Sequence, residues 1–147
     1  MSAPQVLFVC VKNAGKSQMA AGLMRAAGDS VEVTSAGTRP GDAVNPLSAQ
    51  SLLEVGVDIT VQRPRLVTAE LIAAADVVVT LGTEARIDPD LVAAVAKVQP
   101  GTRFETWLTD EPSDRGIDGI ERMRLVRDDI ATRVADLRDR LLAAPAS

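Results

Sequence analysis

The chain has 147 residues and a mass of 15.5 kDa, with 46% hydrophobic and 24% charged residues, the balance expected of one globular domain over 1–147. Sixteen basic against twenty acidic side chains leave a formal charge of −4, and aromatics are 2% with no Tyr, which argues against duplex-DNA binding and base stacking. His is absent and Cys occurs once, which excludes Ser-His-Asp and Cys-His catalysis, imidazole metal sites, an intramolecular disulfide and Cys-rich metal sites.

The start, Met-Ser-Ala-Pro-Gln, leads straight into an apolar run with no basic segment before it, and no stretch approaches a membrane span. A cytoplasmic location is expected, with no nucleic-acid or membrane partner. Val6–Val9 is a short apolar run stopping at a polar, Gly-containing loop, which predicts a buried strand. From Lys16, the spacing of Met19, Ala20, Leu23, Met24 and Ala27 predicts a helix closed by Gly28. Val31–Thr34 alternates as a second strand and ends at Ser35-Ala-Gly-Thr38. Pro40, Gly41, Asn45 and Pro46 mark a surface loop.

Residues 47–55 suit a helix through Leu47, Leu52, Leu53 and Val55, with Gly56 past its end. Thr68 is placed to cap another helix over 69–75. Val77–Leu81 is apolar almost throughout, as a parallel strand covered on both faces should be. A weaker strand is expected near Arg103–Thr106. In the last segment Ile120, Met123, Val126, Ile130, Val134, Leu137 and Leu141 step by three or four, which predicts a helix. Its Arg and Asp residues alternate on the other face, expected to be solvated and tied by intrahelical pairs. Strands alternating with helices imply an α/β sandwich on a parallel sheet.

The chemistry concentrates in Cys10-Val-Lys-Asn-Ala-Gly-Lys-Ser17, between the first strand and the helix that follows. There backbone N–H groups converge and the helix dipole favours an anion. Lys12, Lys16 and Arg25 are the only charged residues before Asp29, so this stretch is purely basic within an acidic protein. Gly15-Lys-Ser17 also fits the end of a Walker A loop. Its first Gly would fall on Cys10, however, and no apolar strand ending in Asp follows, since Asp76 precedes its strand. A loop with a Cys nucleophile at the strand end accounts for the letters better. Helix N-termini and adjacent cations favour a thiolate, amides hold an oxyanion above it, and the Ser17 hydroxyl can donate to the sulfur.

Cys10–Ser17 followed by Gln18-Met-Ala20 resembles the signature of the low-molecular-weight tyrosine phosphatase superfamily, and specifically its arsenate reductase branch. The similarity extends through Ser35-Ala-Gly-Thr38, Asn45-Pro46, Gly56-Val-Asp58, Asp76–Thr80 and the acidic-Pro loop after Trp107. The resemblance implies a three-layer sandwich: a four-stranded parallel sheet with helices on both faces. It also implies an oxyanion loop of Val11, Lys12, Asn13, Ala14, Gly15 and Lys16, with Asn13 holding its shape. Catalytic roles fall to Cys10, Lys16 and Ser17, with a general acid at Glu111, next to Pro112, and Asp110 in reserve.

Three departures refine this. Lys16 stands where that superfamily usually has Arg, which keeps the charge and loses the planar two-oxygen fork. Lys at this place, and the ending Gly119–Asp128, resemble the actinobacterial arsenate–mycothiol transferases. Thioredoxin-coupled arsenate reductases relay through two further Cys, the first just after the third strand, where this chain reads Leu81-Gly82-Thr83. The resemblance therefore implies arsenate as substrate, phosphate as competing anion, no bound cofactor, mycothiol as co-substrate and a mycoredoxin as partner. The third departure is the lack of Tyr, which leaves Trp107 as either a wall of the site or core filler. The alternatives are a small-phosphoester or phosphotyrosine phosphatase, and a non-catalytic oxyanion-binding module.

Overall fold

A computed structural model describes residues 3–143. Its parallel four-stranded sheet has the order β2-β1-β3-β4, formed by β1 (Gln5–Cys10), β2 (Glu32–Gly37), β3 (Val77–Leu81) and β4 (Arg103–Trp107). The helices are α1 (Lys16–Ala26), α2 (Pro46–Leu53), α3 (Ala69–Ala74), α4 (Pro89–Val98) and α5 (Gly119–Leu142). Side chains alternate across the central strands, and the two sets enter different cores. Val6, Phe8, Cys10, Val77, Val79 and Leu81 pack with residues of α1, α2 and α5, while Leu7, Val9 and Val78 pack with those of α3 and α4. That two-sided burial is why the strands read as continuous apolar runs.

Several boundaries and faces differ from the sequence expectations. β2 runs on through Ser35-Ala-Gly37, because Phe8, Val9 and Cys10 of β1 supply partners that local alternation does not reveal. Helix α2 begins at Pro46, with Asn45 Oδ1 accepting from Leu47 N and Ser48 N. Its buried face is Ser48, Ala49, Ser51 and Leu52, whereas Leu47, Leu53 and Val55 are exposed. Helix α4 has no counterpart among the sequence expectations. Asp88 caps it and Pro89 opens it, but only Val95 is buried, so its apolar stripe is thin.

Helix α5 buries Val126, Ile130, Val134 and Leu137 as the spacing indicates. Its charged face differs from the expectation of purely intrahelical pairing. Arg133–Asp129 and Arg140–Asp136 are such pairs, but Arg124 and Arg127 reach Glu54 and Arg140 reaches Glu105. No helix among the described residues is long and apolar enough to cross a membrane.

Candidate functional site

Strand β1 ends where its two neighbours, β2 and β3, lead away in opposite directions, the place where open parallel sheets bind ligands. Cys10 is the last residue of β1, and α1 starts at Lys16 with Gly15 as its N-cap. The five residues between form a closed cradle because their carbonyls are held outwards. Cys10 O accepts from Thr38 N (3.1 Å), Val11 O from Arg39 N (2.7 Å), Lys12 O from Gly41 N (2.9 Å) and Ala14 O from Asn45 N (2.7 Å). Gly15 O accepts from Met19 N (2.9 Å) and Asn13 O from Gln18 Nε2 (3.1 Å). The N–H groups of Val11, Lys12, Ala14, Gly15 and Lys16 donate to no protein acceptor among the described residues. Such convergent amides at a helix N-terminus suit an oxyanion.

Two residues from outside the loop set its shape. A Cβ on Gly37 would lie 2.6 Å from Val11 O and 2.9 Å from Asn13 N, so only glycine lets β2 pass so close. Asn13 adopts a left-handed backbone, φ 52°, which Asn tolerates better than most residues. Its side chain is fully buried, and Oδ1 accepts from Arg65 N (3.0 Å) and Gln18 Nε2 (3.2 Å). A backbone N–H is an unambiguous donor, so the amide orientation of Asn13 is fixed. Nδ2 then donates to Ser17 Oγ at 2.7 Å. Ser17 Oγ lies 2.9 Å from Cys10 Sγ, within hydrogen-bond reach, and its hydroxyl can donate to the sulfur. Asn13 N donates to the same sulfur at 3.2 Å. The Asn13 backbone amide and the Ser17 hydroxyl thus both contact Cys10 Sγ at the end of β1.

Above the loop lies a cavity of about 600 Å³ lined by Cys10, Val11, Lys12, Lys16, Leu81–Glu84, Glu111, Asp114 and Arg122. Of the expected site residues, Cys10, Val11, Lys12, Lys16 and Glu111 face it, while Asn13 and Ser17 are buried as supports. Gly15 lines a smaller adjoining cavity with Lys16, and Ala14 anchors the loop through its carbonyl. Lys16 Nζ forms an ion pair with Glu111 Oε1.

Asp110 does not line the cavity. Its carboxylate takes both arms of Arg115 at 2.8 and 3.2 Å, and the Arg115 guanidinium holds it below the usual carboxylate range. Arg25, counted with the loop cations from sequence, sits in the last turn of α1, nine residues and about 14 Å along the helix from Lys16. Trp107 is only 6% exposed and packs on Phe8 with ring centroids 5.5 Å apart, so it is core and not a wall. Sequence reasoning missed Glu84, Asp114 and Arg122. Asp114 lay in the acidic-Pro stretch, and Arg122 was hidden among charges assigned to a solvated face. Among the described residues, no group of three or more His, Cys, Asp or Glu could hold a metal ion.

Known proteins share this architecture. The family described as low molecular weight phosphotyrosine protein phosphatase matches residues 5–144. An arsenate reductase of Staphylococcus epidermidis is 32% identical over 143 residues, covering 96% of this chain and 100% of that one. A solved thioredoxin-dependent arsenate reductase of Corynebacterium glutamicum is 34% identical with a TM-score of 0.70, covering 95% of this chain and 62% of that one. An arsenate reductase solved in a phosphate-binding state is 30% identical with a TM-score of 0.75, covering 94% of this chain and 98% of that one.

Proposed function

The chain belongs to the low molecular weight phosphotyrosine protein phosphatase family, in its arsenate reductase branch, and from that premise we propose that it is an arsenate–thiol transferase using mycothiol. The observation carrying the choice of an external thiol is the lining of the cavity that holds the nucleophile. Leu81, Gly82 and Thr83 line the cavity with Cys10, and the sequence contains no second sulfhydryl to relay oxidising equivalents.

Arsenate seats on the free amides of the 11–16 loop, with Lys16 neutralising part of its charge. The Cys10 thiolate attacks arsenic, forming a sulfur–arsenic bond while one arsenic–oxygen bond breaks. Glu111 protonates the departing oxygen, which leaves as water. Asp110 is the poorer candidate, because it does not line the cavity and its carboxylate is turned to Arg115. A mycothiol thiolate then attacks arsenic, takes it as arseno-mycothiol and returns Cys10 as thiolate. Neither transfer changes the oxidation state of arsenic. Reduction follows elsewhere, with a mycoredoxin as the dithiol partner, and phosphate competes for the loop.

Turnover with arsenate plus mycothiol, run beside hydrolysis of an aryl phosphate, tests the proposal. The transferase should turn over arsenate repeatedly and the aryl phosphate poorly, since Trp107 is withdrawn into the core and no aromatic among the described residues lines the cavity to hold an aryl ring. Efficient aryl phosphate hydrolysis with no arsenate turnover would make the protein a phosphatase. Oxyanion binding with neither turnover would make it a binding module.

A further inference from the structure

Arg122 stands apart from the other arginines on the first half of α5. Arg124 and Arg127 each donate to carboxylates at hydrogen-bond distance. Arg122 donates to no acceptor among the described residues, and its Nε is buried without a partner. Its side chain is one-third exposed and lines the cavity over Cys10. The nearest carboxylate oxygen is Glu111 Oε2, 3.9 Å from Nη2, close enough for charge attraction but not for a hydrogen bond. The other oxygen of that carboxylate is held by Lys16. One anionic group therefore sits between two cations at the mouth of the cavity.

We propose that Arg122 is an oxyanion-binding residue: a tetrahedral oxyanion on the 11–16 loop replaces the Glu111 carboxylate as the anion shared by Lys16 and Arg122. Lys16 contributes a compact charge and Arg122 the planar pair of donors that matches two oxygens. A dianion satisfies two cations better than a single carboxylate does. Glu111, released from Lys16 by the bound anion, stays at the cavity mouth, where it can carry a proton from solvent to the departing oxygen. The inference rests on the loop being an oxyanion site, and its test needs no turnover.

The measurement is protection of Cys10 from alkylation by inorganic phosphate, titrated on the native chain, Arg122→Gln, Arg122→Lys and Arg124→Gln. Arg122→Gln should weaken protection about tenfold or more, as loss of a charge-assisted bond does. Arg122→Lys should recover only part of it, and Arg124→Gln, whose guanidinium serves Glu54, should leave it unchanged. The loss should persist at about 1 M salt, where the Debye length is about 3 Å and only direct contacts survive. Native-like phosphate protection in Arg122→Gln, or a deficit that vanishes in salt, overturns the proposal. Full recovery by Arg122→Lys would overturn the planar fork. If phosphate fails to protect even the native chain, the oxyanion loop itself is refuted, and this inference with it. Arg122 makes no side-chain hydrogen bond, so matched thermal melts should accompany each result.

Discussion

Asn13 connects the scaffold to the nucleophile: Arg65 N fixes its amide, the amide donates to Ser17 Oγ, and Ser17 Oγ contacts Cys10 Sγ. Asn13→Ala removes these links, leaving the Arg65 N–H without a partner and Ser17 Oγ without its Asn13 donor, which should destabilise the fold by ~1–3 kcal/mol. Cys10 alkylation at neutral pH should slow as well, because Ser17 is free to turn away. Unchanged alkylation in a folded variant would show that the wiring does not serve the sulfur. The contiguous part of this site was legible in the sequence, since Cys10–Ser17 is a single loop whose residue types declare an anion. Arg65 and Arg122 were not. The first acts through a backbone N–H that any residue carries, and the second is one of many arginines on a charged helix.

At the scale of elements, the loop keeps its shape because β2 passes against it without a side chain. Gly37→Ala would place a methyl 2.6 Å from Val11 O, and backbone must move to admit it. Stability should fall by ~1–3 kcal/mol, and phosphate protection of Cys10 should be lost out of proportion to that fall. A variant that binds phosphate normally would mean the cradle tolerates displacement.

Helices α2 and α5 are joined by Glu54, which accepts from Arg124 and Arg127. The Arg124 bond, then that from Arg127, holds the Glu54 carboxyl down from 4.5 to about 2. A depressed carboxylate stabilises the fold above its unfolded value and loses that contribution as pH falls from about 4.5 towards about 2. Glu54→Gln should flatten that part of the stability–pH curve, with a smaller effect in high salt because the pair is solvent-exposed. Identical acid limbs in variant and native chain would contradict the tie. Strands β1 and β3 were legible because burial on both faces leaves an apolar run. Helix α4 was not, since one buried valine does not make a periodic stripe, and the end of β2 depends on pairing that sequence spacing does not encode.

For the whole molecule, topology and cysteine count together motivate the proposed chemistry. The strand order places Cys10 at a switch point with a helix N-terminus behind it, and Leu81, Gly82 and Thr83 line the same cavity without a second sulfhydryl. With Cys10 alone, the sequence has no internal dithiol to donate two electrons, so the proposed cycle takes its reducing thiol from outside. The most direct measurement is the number of arsenite molecules released per protein under excess arsenate, with mycothiol and a mycoredoxin in one reaction and thioredoxin with its reductase alone in another. The account predicts many turnovers with mycothiol and mycoredoxin, fewer than one with thioredoxin, and none from Cys10→Ser in either. Sustained arsenite release with thioredoxin and no small thiol, or turnover surviving in a folded Cys10→Ser protein, would contradict it.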